Sequence, residues 1–266
     1  MEDFKLILDG LFRICYKNEK STDIINEFEK EVNDVSYITK NIYGILENKL
    51  YLEYIIGKLS KIKLKKLDKK VLLILEIGIY NIHFLDRKNY AIVNELVNLT
   101  KKVSFKSKSF VNAILRSYIR DEENLSKINI KNKEKYQSIK YSIPLWIIKY
   151  LNESYGINYT QDFLNSLNKK RRLSIRINKN KIDKDKLKSL LEDKNFQIEN
   201  SKISSLSLIV NNPSSLAKTE EFKNGLFTIQ SEASIKVCEV LNPKNNSHIL
   251  DLCAAPGTKT SLLAEL

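Results

Sequence analysis

Apolar residues recur three and four positions apart through the first part of the chain, and that rhythm predicts a run of helices. Phe4, Ile7, Leu8, Leu11 and Cys15 fall on one stripe, the i, i+3, i+4, i+7 spacing of a helix with one buried face. Cys15 is therefore expected in a core rather than as a nucleophile. Ser21, Thr22 or Asp23 offers an N-cap for a second helix. Further helical patterns cover residues 35–59, 69–85, 90–103 and 107–120. The stretch VLLILEIGIYNIHFL is apolar almost all round, as suits the central helix of a bundle. His83 lies on it and is expected to be a partnered core histidine. The helical unit is expected to end near Asp121.

The pattern then changes. DEENLSKINIKNKEKYQ is charged and reads as a linker or a poorly packed helix. At YSIPLWIIKYLNESYG, Pro144 suits a first helical turn, Leu145, Trp146, Ile148 and Leu151 supply an apolar side, and Gly156 ends the helix. LSIRIN alternates Leu173, Ile175 and Ile177 against Ser174, Arg176 and Asn178, the period of two expected of a half-buried strand. Residues 184–191 read as a helix, SLSLIV as a strand, and GLFTIQSEASIKVCEVL as a strand leading into a helix that carries Cys238. Finally HILDL reads as a short strand, CAAPGTKT as a loop of small residues and SLLAEL as the start of a helix. The expected fold class is multidomain: an all-α bundle, a small α+β domain, and the first βα unit of a Rossmann-like α/β domain. The expected limits are 1–125, 126–240 and 241–266.

Charge adds a partner class to this outline. Lys and Arg number 45 against 32 Asp and Glu, a formal net charge of +13, which favours a polyanion because cations that meet phosphates release counterions. The chain is also rich in Lys, Asn and Ile, so the placement of the cations says more than their number. Between Leu96 and Arg120 there are no acids, while Lys101, Lys102, Lys106, Lys108, Arg116 and Arg120 accumulate. FLNSLNKKRRLSIRINKNKI is likewise acid-free and carries Lys169, Lys170, Arg171, Arg172, Arg176, Lys179 and Lys181. Evenly solvated faces mix signs, so both stretches are expected to bind phosphate. Three widely spaced cysteines and two histidines suggest neither a disulfide framework nor a metal site. No run approaches the roughly 18 apolar residues of a membrane span, and the acidic start MEDF does not resemble a secretory signal. A cytoplasmic protein is expected.

The stretch from Ile249 to Leu266 holds the candidate chemistry. Strand, small-residue loop and helix is the order in which open α/β sheets begin a ligand site, since a helix N-terminus offers unpaired N–H groups. A phosphate-binding P-loop is excluded, because Leu252 stands where its first glycine belongs and Thr258 separates Gly257 from Lys259. A dinucleotide fingerprint needs three glycines where this loop has one. An ordinary βα turn without a ligand remains open on spacing alone.

DLCAAPGTKT resembles the first S-adenosylmethionine motif of the RNA 5-methylcytosine methyltransferases, written DLCAAPGGKT in that family. The rest of the chain is similar to the Sun/RsmB branch, the small-subunit ribosomal RNA cytosine-C5 methyltransferases. YAIVNELVNLTKK and KSFVNAILR resemble two helices of its NusB-like first domain. IPLWIIKYL, LSIRIN and FTIQSEAS resemble its P-x-W-L, LRVN and V-V-Q-D-x-A-S segments, in the same order.

The resemblance implies a NusB-like RNA-binding domain, S-adenosyl-L-methionine as cofactor and small-subunit ribosomal RNA as partner. It implies that Asp251, Cys253, Ala254, Ala255, Pro256, Gly257, Thr258 and Lys259 form the cofactor loop. One departure is visible. Thr258 stands at the motif's second glycine, and a β-branched residue there is expected to restrict the backbone and lower cofactor affinity. In the family a cysteine thiolate adds to cytosine C6 so that C5 can attack the methyl group, and a second cysteine assists release. Both lie downstream of this motif. The nucleophile is therefore expected beyond Leu266 and no catalytic residue within the chain, Cys253 belonging to the loop. Eighteen residues of strand, loop and helix cannot bury a sheet of their own. The chain is therefore expected to be the N-terminal portion of a longer enzyme, inactive by itself. The alternative is a non-catalytic NusB-like RNA-binding protein of the transcription-antitermination type.

Overall fold

A computed structural model describes residues 2–32, 34–167 and 172–266. The chain divides into two compact units, 1–167 and 168–266.

The first unit is helical: α1 Glu2–Lys17, α2 Ser21–Glu31, α3 Ser36–Glu47, α4 Lys49–Leu59, α5 Lys69–Phe84, α6 Asn89–Val103, α7 Lys108–Arg120, α8 Glu122–Leu125, α9 Lys133–Lys140, α10 Leu145–Tyr155 and α11 Ile157–Leu167. As its all-round apolarity predicts, α5 is the central rod. It is buried from Val71 to Ile82 and packed by α1, α3, α4, α6 and α7. Two glycines permit the close approach: the Tyr80 ring fills the space a side chain at Gly44 would need, and Leu96 and Leu115 do so at Gly78. Asp68 caps α5, its carboxylate accepting from the N–H groups of Lys70 (2.9 Å) and Val71 (3.1 Å). Asp68→Ala is expected to lower the stability of this unit by about 1 kcal/mol, measurable as a shift of the urea midpoint.

Two polar systems interrupt the apolar core. The fully buried Glu76 carboxylate accepts from Lys49 Nζ at 2.9 and 3.1 Å. Further along α5, Asn81 Nδ2 donates to Asn41 Oδ1 (2.6 Å) and to the Ile77 carbonyl (2.8 Å). Asn41 Nδ2 donates to the Tyr37 carbonyl (3.0 Å), the Tyr37 hydroxyl donates to Asn81 Oδ1, and Arg87 Nη1 donates to the Tyr37 hydroxyl (2.7 Å). His83 is partnered, as expected, by Glu122 (2.9 Å), Tyr118 (3.0 Å) and Tyr51 (3.4 Å).

The structure departs from the sequence pattern at three points in this unit. The helix expected over 35–59 breaks at Asn48, whose side-chain amide donates to the Gly44 carbonyl (2.8 Å) and so competes with continued helix. Ser21, Thr22 and Asp23 lie inside the first turn of α2 rather than capping it; Lys20 holds the cap position without a side-chain bond. The charged segment after Asp121 is neither a linker nor unpacked. Lys58 Nζ donates to the carbonyls of Asn124, Leu125 and Lys127 (3.0–3.2 Å), Tyr51 donates to that of Ser126 (3.1 Å), and the Tyr54 hydroxyl accepts from Asn129 N–H (3.0 Å). Through these bonds α4 holds the stretch, and the first compact unit extends through α11.

The second unit comprises β1 Leu173–Ile177, α12 Lys184–Glu192, β2 Ile198–Asn200, β3 Ser207–Val210, α13 Glu220–Lys223, β4 Phe227–Ile229, α14 Glu232–Leu241 and α15 Thr258–Glu265. The strands form one antiparallel sheet in the order β2-β3-β1-β4, with Ile175 opposite Leu208 and Ile229. One sheet face buries Ile175, Ile177, Leu208 and Val210 with Leu187 and Leu191 of α12. A smaller cluster gathers Leu206 with Ile235 and Cys238 of α14 and Leu262 of α15. The expected half-buried β1 is thus covered on both faces, Leu173 alone being partly exposed. HILDL, expected as a strand, runs without a ladder, and Leu250 and Leu252 are exposed. A strand exists only against a neighbour, and among the described residues neither sheet edge pairs with it.

Candidate functional site

The loop before α15 is shaped by a few specific bonds. Asp251 accepts from the Cys253 N–H (3.0 Å) on one carboxylate oxygen and from the Thr260 hydroxyl (2.8 Å) on the other, which ties the start of the loop to the first turn of the helix. The Ala255–Pro256 peptide bond is cis, Gly257 N–H donates to the Ala254 carbonyl, and Gly257 holds a φ of +96°. That conformation suits glycine, and no atom lies within 4 Å of where its Cβ would stand. Cys253, Ala254, Ala255, Pro256 and Lys259 are exposed. Thr258 is the first helical residue and is not among the residues of positive φ. The backbone restriction expected from a threonine at this position is therefore not met: the residue that needs glycine's freedom is Gly257, and the sequence keeps it.

Helix α15 is held to the unit by a residue the sequence pattern placed elsewhere. Arg176, expected among the phosphate-binding cations, has only 2% of its side chain exposed and is bound by Glu265 Oε2 and Ser261 Oγ, both at 3.1 Å. The alternation along β1 does put Arg176 opposite the apolar face, but α15 covers that side and supplies the counter-charge. Arg176 is a tether for the loop helix and does not reach a phosphate. At the far end of α15, Leu266 is the C-cap, its N–H donating to the Leu262 carbonyl (3.1 Å) while its side chain is exposed. Leu266 takes no part in the loop.

The other cations divide into three groups. Lys169, Lys170 and Arg171 lie outside the described residues. Arg172 precedes β1, is exposed and pairs with Glu199 at 3.5 Å, while Lys179, also exposed, follows the strand at its other end. Fold and register do not bring these two together. The third group lies on the first unit. Lys101, Lys102 and Lys106 are exposed at the turn between α6 and α7, Lys108 opens α7 half-buried, and Arg116 and Arg120 lie four residues apart on the exposed side of α7. Among the described residues none of these six forms an ion pair. Sequence reasoning missed Tyr90 and Phe105, whose rings stand 74% exposed at the two ends of α6; a helical period marks an aromatic residue but not its exposure.

Two of the three thiols offer little nucleophilic chemistry. Burial pushes the Cys15 and Cys238 thiols up, and Cys238 donates to the Lys259 carbonyl (3.7 Å). Both are packing residues, as the sequence context indicates. Among the described residues there is no group of His, Cys, Asp and Glu that could hold a metal ion, and no helix is long and apolar enough to cross a membrane.

Comparison with known proteins follows the same order along the chain. Residues 5–120 match the NusB family, 143–217 the ferredoxin-like domain of RsmF/B-like methyltransferases, and 238–266 the 16S rRNA methyltransferase RsmB/F family. Segment by segment, the chain is thus similar to the RsmB/F-type methyltransferases. It is 28% identical to the probable ribosomal RNA small subunit methyltransferase B of Bacillus subtilis (strain 168), over 98% of this chain and 59% of that protein. It is 29% identical to the protein so named in Synechocystis sp., over 88% of this chain and 53% of the relative. The crystal structure of PH0851 matches 99% of this chain and 60% of its own with a TM-score of 0.69 at 23% identity, which shows the fold. The chain thus spans somewhat more than half the length of these relatives. The two segments beyond residue 120 set aside a NusB-like binding protein as the reading of the whole.

Proposed function

We propose that this chain is the RNA-recognising and cofactor-loop portion of an S-adenosylmethionine-dependent methyltransferase acting at cytosine C5 of small-subunit ribosomal RNA. Its parts fall at 1–125, 126–240 and 241–266. The observation that carries the reading is the loop from Asp251 to Lys259. Gly257 sits at positive φ with open space on its Cβ side, and the N–H groups that open α15 have no partner within the helix. Such a turn suits a ligand that approaches the backbone and carries a carboxylate, as the methionine part of the cofactor does. Cys253, Ala254, Ala255, Pro256, Gly257, Thr258 and Lys259 would hold it, with Asp251 bracing the loop from both ends. The bound cofactor supplies an electrophilic methyl group on a sulfonium.

Lys101, Lys102, Lys106, Lys108, Arg116 and Arg120, with Arg172 and Lys179, meet the RNA backbone. No cysteine of this chain is placed to attack cytosine C6, since Cys15 and Cys238 are packed away and Cys253 belongs to the loop. Incubated with labelled cofactor and unmodified small-subunit RNA, the 266-residue chain is expected to transfer no methyl group. Adding S-adenosylmethionine is expected to shift the amide resonances of Gly257, Thr258 and Lys259 in an NMR titration, and Gly257→Val to abolish those shifts, because a β-branched residue does not tolerate this φ. Unchanged spectra of the parent chain at saturating cofactor would remove the support for a cofactor loop.

A further inference from the structure

We propose that the cleft between the first turn of α6 and the last turns of α7 seats one unstacked nucleotide of an RNA strand. The proposal rests on the RNA reading above and adds a base-recognising seat to what is otherwise a phosphate-binding surface.

The cleft encloses about 390 Å³ and is lined by Asn89, Tyr90, Val93, Arg116, Ile119 and Arg120. Its size falls at the lower end of the range for small-ligand sites, about 300–1,000 Å³. Val93 is buried and Ile119 half-buried, which gives an apolar floor. Tyr90 projects from it with most of its ring in water, and its hydroxyl has no hydrogen-bond partner among the described residues. On the other wall, Arg116 Nε donates to Asn112 Oδ1 (2.9 Å) and Arg120 Nη2 to Ser117 Oγ (3.2 Å). Both acceptors are neutral, so the guanidinium planes are oriented while their charge stays uncompensated. Asn89 adds an amide that can both donate and accept.

This combination matches a nucleotide part by part. Unpaired bases stack on exposed aromatic rings, planar guanidinium groups bind phosphate with two parallel N–H donors, and a side-chain amide can read a base edge. An acidic peptide would satisfy the two arginines but leave the ring and the apolar floor unused. A double helix would meet the arginines and keep its bases stacked away from Tyr90.

The test is fluorescence anisotropy of the full 266-residue chain with a short unstructured oligoadenylate and with a matched strand carrying abasic ribose phosphates. Tyr90→Ala is expected to weaken binding of the base-bearing strand about tenfold and to leave binding of the abasic strand unchanged. Tyr90→Phe retains the affinity of the parent. The double variant Arg116→Gln, Arg120→Gln is expected to weaken both strands and to reduce the slope of log affinity against log salt by about 1.4. Tyr90 is exposed, so an unchanged thermal midpoint is expected and confirms that Tyr90→Ala folds. If Tyr90→Ala binds the base-bearing strand like the parent while the arginine variant still lowers the slope, the seat is overturned and the RNA reading stands. If an oligoglutamate peptide binds as tightly as oligoadenylate and is weakened equally by Tyr90→Ala, the cleft is a protein site. If the parent binds neither strand, the seat and the RNA reading fail together.

Discussion

Lys49→Met is expected to destabilise the helical unit by about 2 kcal/mol near pH 8 and by only about 1 kcal/mol near pH 5, because protonation of Glu76 caps the difference at about 1.4 kcal/mol. Glu76 is wholly buried in α5, and Lys49, itself partly exposed, is its ion-pair partner. Burial pushes the Glu76 carboxyl up to about 7, against the pull of Lys49, which lowers it. Glu76 in turn raises Lys49, which therefore stays charged throughout, and Glu76 is the member of the pair that titrates. Between its ordinary value and about 7 the native state holds a proton that the unfolded chain releases. Stability from this group is therefore fully present at low pH and is lost as the pH rises through the folded value. One pKa unit corresponds to about 1.4 kcal/mol, so the parent is expected to lose about 2–4 kcal/mol across that window from Glu76 alone.

Without Lys49 the carboxylate has no compensation, and the loss above neutrality deepens while the protonated state near pH 5 is barely affected. Glu76→Gln is the converse. It removes the titrating group, leaves Lys49 with Glu53 at 3.4 Å, and is expected to flatten the pH dependence between about 4.5 and 7. Denaturant unfolding of the three proteins across this range checks both statements. A Lys49→Met penalty of equal size at both pH values would show that Lys49 contributes only packing.

The second large effect concerns the link between sheet and loop. Glu265→Ala strips the buried guanidinium of Arg176 of its only carboxylate partner among the described residues, and a hydrogen bond to a charged group contributes about 1.5–3 kcal/mol. Because α15 is short, the cost is capped by the free energy with which it docks, and the helix is expected to detach before the sheet unfolds. Amide hydrogen exchange over residues 258–265 should then accelerate roughly 10- to 100-fold, while that of β1 and β3 changes little. Uniform acceleration across the unit would mean that Arg176 braces the sheet and not the loop helix. Glu265→Gln keeps a neutral acceptor and is expected to lie between the two.

Much of the fold is written in local spacing. The stripes of α1, α6 and α7 and the unbroken apolarity of α5 state which faces are buried, because helix burial follows a short period. The segment from α8 to α9 was not legible in that way. It has few apolar residues, and its place is fixed by Lys58, Tyr51 and Tyr54, more than sixty residues earlier. Arg176 shows the same limit from the other side. Period-two alternation separates the two faces of β1, but whether the polar face meets water or a counter-ion depends on Glu265, 89 residues away. The loop itself was legible, since small residues and one obligatory glycine leave few backbone paths. The aromatic wall of the α6–α7 cleft was not, because only the packed structure tells an outward ring from an inward one.

The amide and hydroxyl chain of Asn81, Asn41, Tyr37 and Arg87 has a consequence for how the bundle finds a single arrangement. Oily helices can slide past one another by a turn and still exclude solvent, but these groups match only one alignment of α3 against α5, and every slipped alternative strands dehydrated dipoles. An Asn81→Leu chain should therefore remain helical and yet show broadened, heterogeneous methyl resonances, the signature of several interconverting packings in place of one.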